Sequence, residues 1–217
     1  MATLFIKPLI MRIILMLCSL FLAVTFSNAQ KMKMNGHSSQ AEQLRMNMHK
    51  LWEDHVTWTR NVILNIIDGL PGTDQAVARL LKNQDDIGNA IKPVYGEAAG
   101  KELTRLLREH ITVAADLLNA AKAGNSSAFQ DANTKWIANA DEISAFLSKA
   151  NPNWKLEEMK KMMHDHLDLT TQEATARLKK DYDADVKAYD KVHEEILKMA
   201  DMLTEGIVKQ FPEKFKE

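Results

Sequence analysis

The sequence predicts an all-α protein, an up-and-down helical bundle of about four long helices with two or three short ones. Three observations carry this expectation. Apolar residues recur at spacings of three and four through most of the chain, no stretch alternates as a strand would, and glycine or proline punctuates most of the periodic segments. Short connections between such segments make successive helices antiparallel neighbours.

The N-terminus has a different pattern. Lys7 and Arg12 precede the apolar run Ile13 to Phe26, which ends in Ser27, Asn28 and Ala29 before Gln30. That is the layout of a secretory signal peptide over residues 1–29, with Met11 an equally good start, and the run is too short to span a bilayer. Export to the periplasm or the medium is therefore expected, with membrane contact only through the signal. Cys18, the single cysteine, lies inside it. The mature chain then has no thiol, which excludes disulfides, thiolate metal sites and cysteine nucleophiles. Two of the 28 basic residues and none of the 29 acidic ones leave with the signal, so the mature chain carries a net charge of −3 and no nucleic-acid footprint.

Residues 30–40 read as a polar, flexible leader, and residues 41–212 as one helical domain. The first helix is marked by Leu44, Leu51, Trp52, His55, Val56, Thr59, Val62, Ile63, Ile66 and Ile67, and stops at Gly69 and Pro71. Thr73 is placed to cap a short helix, and Asn83 a second one that Pro93 discourages from continuing. A long helix follows from near Glu97 to Ala123, closed by Gly124. Another covers about Ala128 to Lys149 and ends before Asn151, Pro152 and Asn153. A shorter one spans about Lys155 to Asp168. Thr170 and Glu173 have capping-box spacing, so the chain is expected to break there and run as a bent last helix from Thr171 to Gln210.

Polar residues on inner faces define the candidate site. His55 stands between Trp52 and Trp58 on the apolar stripe of the first helix, and His110 lies on the stripe of Leu103, Leu106, Leu107, Val113, Ala114 and Leu117. His166 shares a face with Met159, Met162, Met163 and Thr170, while Asp190 and His193 belong to the last helix. Buried imidazoles without partners for both ring nitrogens cost roughly 1–3 kcal/mol each. Such a set either satisfies itself with nearby polar groups or surrounds something. His55, His110, His166, Asp190 and His193 are candidate ligands for a transition metal, copper, zinc or iron. Trp58, Thr59 and Arg60 are candidate contacts for a small polar molecule, with Arg60 either pairing with Asp141 or Asp190 across the bundle or snorkelling to solvent. Methionine beside histidine in residues 31–37 and 46–49 adds a soft-ligand hint of copper against the plainer reading of core filling.

Catalytic templates are absent. No Gly-x-Ser-x-Gly elbow, phosphate-binding glycine loop or His-Glu-x-x-His motif occurs, and Asp190 with His193 is a three-residue spacing that chance supplies freely. The stretches LWEDHVTWTRNVILNIIDGLP, NQDDIGNAIKPVYGEAAGKELTRLLREHI and DHLDLTTQEATARLKKDYDADVKAYDKV through MADMLTEGIVKQFP resemble a family of small secreted bacterial all-helical proteins, some named as transferases or kinases. The resemblance implies a helical fold and brings no established activity. It marks His55, Trp58, Thr59, Arg60, His110, His166 and Asp190. The leading expectation is an exported bundle binding a metal ion or small polar ligand. The alternatives are a cell-envelope interaction module whose histidines are structural and, third, an enzyme using a His/Asp acid-base pair.

Overall fold

The computed structural model describes residues 39–216, in an all-helical bundle with no strand among them. Five helices follow one another: α1 (Gln40–Asp68), α2 (Thr73–Lys122), α3 (Ser126–Ala150), α4 (Leu156–Leu178) and α5 (Tyr182–Gln210), with a 3-10 turn at Pro212–Lys214. The expected signal peptide at 1–29, nearly all of the expected leader and the methionine-rich segment 31–37 lie outside the described residues. No described helix is long and apolar enough to cross a membrane.

Each helix packs on its neighbours in sequence, and α5 returns to α1, so the five close a ring around a common axis. Inside it run Trp52 and Val56 of α1, Leu103 and Leu107 of α2, Trp136 and Ile143 of α3, Met159 and Met163 of α4, and Val192, Ile196 and Met199 of α5. A second, smaller cluster of Ile63, Ile66, Leu80, Ile111 and Leu118 packs one end.

Three junctions differ from expectation. Residues 73–95 form a single helical arm instead of two short helices, because Asn83 is not a cap: it is buried and donates to the Leu51 carbonyl 2.9 Å away. The arm then doubles back on 97–122 at Gly96, whose φ of 86° and ψ of 169° suit glycine alone. The two arms touch through Gly88 and Gly100, where an added Cβ would lie 2.7 Å from the opposing carbonyl oxygen in each direction.

The break expected at Thr170 falls further on. Helix α4 runs through Thr170 and Glu173, both buried and mid-helix, because each faces the core instead of a helix end. The chain turns at Lys180, with φ of 59°, and Asp181 caps α5 by accepting from the Ala184 N–H at 3.1 Å. Met48 and Met199 fill core, as the plainer reading of the methionines expects, while Met46 is exposed.

Candidate functional site

Three histidines from three helices meet inside the ring. His55, His110 and His166 are each at most 4% exposed, with ring centroids 5.8 Å apart for His55 and His166 and 6.5 Å for His110 and His166. Their helices bring them together because each occupies the apolar stripe of its own helix at mid-height.

Their hydrogen bonds differ, and the difference decides what each can do. His110 is complete: Nδ1 donates to Asn139 Oδ1 at 2.9 Å, and Nε2 accepts from the Trp136 indole at 3.2 Å. The Asn139 amide nitrogen in turn donates to the Leu106 carbonyl, which fixes the amide orientation and hence the tautomer. Burial depresses the His110 pKa to about 4, with His166 adding to the effect and Asn139 opposing it, so the ring is neutral.

His55 has one partner. Its Nδ1 lies 3.2 Å from the Gln84 amide nitrogen, which also contacts the Leu80 carbonyl and Asn83 Oδ1. Those acceptors orient the amide so that its N–H faces His55 Nδ1. The neutral ring therefore carries its proton on Nε2. Burial holds His55 well below the usual histidine range, reinforced by His166 and His110.

His166 donates from Nδ1 to Glu195 Oε2 at 3.0 Å, and its Nε2 points away from that bond. Neither Nε2, of His55 or of His166, has a protein partner among the described residues. Thr170, one turn beyond His166, has a fully buried hydroxyl without a hydrogen-bond partner.

These groups border one cavity of about 30 Å³, a volume of order two waters, lined also by Thr59, Ile63, Ala114, Leu117, Trp136 and Thr171. His55, His166 and Thr170 line it beside Thr59, Thr171 and the apolar Ile63, Ala114 and Leu117.

The remaining expected residues lie elsewhere. Asp190 is exposed on α5, and His193 pairs with Glu53 at 3.3 Å on the outer surface. Both face away because the inner stripe of α5 is Ala188, Val192, Ile196 and Met199. Trp58 sits beneath Arg79, its ring centre 5.3 Å from the guanidinium, and packs on the smaller cluster. Thr59 lines the cavity, although its hydroxyl is committed to the His55 carbonyl.

Arg60 pairs with neither Asp141 nor Asp190. It donates to Glu173 at 2.7 Å and to Asp185 at 2.8 Å, both carboxylates 1% exposed, with the Tyr189 ring 4.8 Å from its guanidinium. Arg177 joins Asp185 to Asp68. Burial pushes Glu173 up to about 7 against the opposing pull of Arg60.

Sequence reasoning missed Gln84, Glu195 and the inward hydroxyl of Thr170 as members of the site. Gln84 carried a signal: with Leu80, Ile87 and Ile91 it falls on the inward stripe of its helix. Glu195 carried none, since it flanks the α5 stripe like many solvated glutamates. Among the described residues no group of three or more His, Cys, Asp or Glu side chains is arranged to hold a metal ion. Comparison with known proteins finds no matching family model, no matching curated protein and no matching solved structure.

Proposed function

We propose that this chain is an exported helical bundle that binds a small polar molecule between His55, His166 and Thr170. One observation carries the reading: three buried polar groups from two helices border a single cavity without protein partners. A buried polar group lacking a partner costs roughly 1–3 kcal/mol, so three in one place favour a ligand that supplies the bonds. The Nε2 atoms of His55 and His166 match a small head group rich in hydrogen-bonding capacity, such as an amide, a carboxyl or a hydroxyl. The basic, then apolar, then small-residue pattern of residues 1–29 supports export.

Acetamide tests this. Titrated into the protein, it should shift the imidazole NMR signals of His55 and His166 and leave those of His49 and His193 in place. Unchanged signals for all four at saturating acetamide would overturn the reading.

A metal ion is the second reading, supported by Glu195, which orients His166 as carboxylates orient metal-bound imidazoles. The commitment of His110 Nε2 to Trp136, and of the His55 Nε2 proton, leaves one ready nitrogen in the cluster. Elemental analysis of the protein isolated without a histidine tag separates the two readings. Stoichiometric copper, zinc or iron that is lost on His166→Ala would favour the metal.

A further inference from the structure

A second cavity, of about 20 Å³, lies further along the same bundle, lined by Met48, Trp52, Leu103, Ile143, Met163 and Met199 among others, with no polar surface. It is stacked on the histidine cavity. On α1 the lining passes from Met48 and Trp52 to His55 and Thr59, on α2 from Leu103 and Leu107 to His110, and on α4 from Met163 to His166. Seven residues separate Trp52 from Thr59, about 10 Å along a helix. Trp52 and His55 form the partition, their rings edge to face at 5.6 Å.

From this arrangement we infer that the ligand is an aliphatic amphiphile, its amide, carboxyl or hydroxyl head at His55 and His166 and its chain threaded past Trp52 into the apolar cavity. The inference rests on the reading above and adds the class of molecule. Two further observations support it. The Trp52 indole N–H is buried without a hydrogen-bond partner, on a residue that lines the apolar cavity. Three of the lining residues are methionines, whose unbranched side chains re-pack around a guest more readily than branched ones. A cavity of this volume admits a chain only as they turn aside. A wholly polar ligand would leave the apolar half of this axis unused.

Hexanamide and acetamide share one head group, so comparing their affinities isolates the chain. Binding is read by imidazole NMR and by the fluorescence of Trp52, Trp136 and Trp154, which border the two cavities. Hexanamide should bind at least ~10-fold more tightly, since each buried methylene adds about three- to fourfold. Met199→Phe, which fills the apolar cavity, should abolish that advantage and leave acetamide unaffected. Met199→Ala, which enlarges it, should increase the advantage, so a folding failure of the phenylalanine variant does not spare the inference. Equal affinity for the two amides, or a hexanamide advantage indifferent to residue 199, overturns the amphiphile and leaves the polar site standing. Failure of both amides to bind overturns both.

Discussion

Two buried polar clusters share α1 and α4, a turn apart, yet they are wired differently. Around Arg60, two carboxylates with almost no exposure are both bonded to one guanidinium, which also stacks on Tyr189. Around His55 and His166, bonds reach only one side of each ring, and the other side borders a cavity. The carboxylates of one and the imidazoles of the other are alike buried, so burial alone does not mark a site. Closure does: a polar cluster that satisfies itself can serve as a clamp between helices, whereas one that leaves donors and acceptors over is suited to a guest.

The largest expected effect lies in the closed cluster. Arg60→Ala strands Glu173 as a buried carboxylate, leaves Asp185 with Arg177 alone, and should cost about 3–5 kcal/mol in urea unfolding. Its effect on acetamide affinity should be small by comparison. A loss below ~1 kcal/mol would mean that the network is not a clamp.

The acid response should separate the clusters next. Burial depresses His110 to about 4 in the folded protein against an ordinary histidine value of 6.5, so the unfolded chain binds more protons between those values. Stability therefore falls as pH drops through that window, by about 3 kcal/mol for His110, and His55 contributes in the same direction. Glu173 has the opposite sign. Its folded value of about 7 lies above the ordinary glutamate value of 4.5, so its contribution weakens stability as pH rises from 4.5 to 7. Urea unfolding at pH 7, 5.5 and 4 should show net acid destabilisation in the wild type. His110→Gln should flatten it and Glu173→Gln should steepen it; a slope unchanged in both contradicts these assignments.

A finer contrast lies inside the histidine layer. Asn139→Ala leaves the His110 Nδ1–H buried without its acceptor and should lower stability by about 1–3 kcal/mol. Thr170→Val removes a hydroxyl that bonds to nothing in the protein, so it should be neutral or stabilising by up to about 1 kcal/mol while weakening acetamide binding. Thr204→Val is the control, because that hydroxyl donates to the Ala200 carbonyl and its loss should not stabilise. Thermal melting of the three variants ranks them, and a Thr170→Val variant less stable than Thr204→Val would reverse the argument.

The helical periods were legible because core stripes repeat every three or four residues, and His55, His110 and His166 stood out as polar interruptions of those stripes. Junctions were harder to read. Thr170 and Glu173 have the spacing of a capping box, but tertiary packing turned both inward and carried α4 on past them. Asp190 and His193 shared a plausible three-residue spacing, yet the inner stripe of α5 passes through Val192 and Ile196 on the other side. The partners of Arg60 were also beyond reach, since Glu173 and Asp185 lie 113 and 125 residues away in sequence and no local pattern links them.

The central claim is that His55 and His166 hold unpaired nitrogens at a cavity while His110 does not. Long-range proton–nitrogen NMR of the imidazoles, without and with acetamide, addresses it directly. The account predicts opposite neutral tautomers for His55 (Nε2–H) and His110 (Nδ1–H), with acetamide moving the side-chain nitrogens of His55 and His166 and leaving both nitrogens of His110 in place. The same tautomer in His55 and His110, or an acetamide response centred on His110, would contradict it.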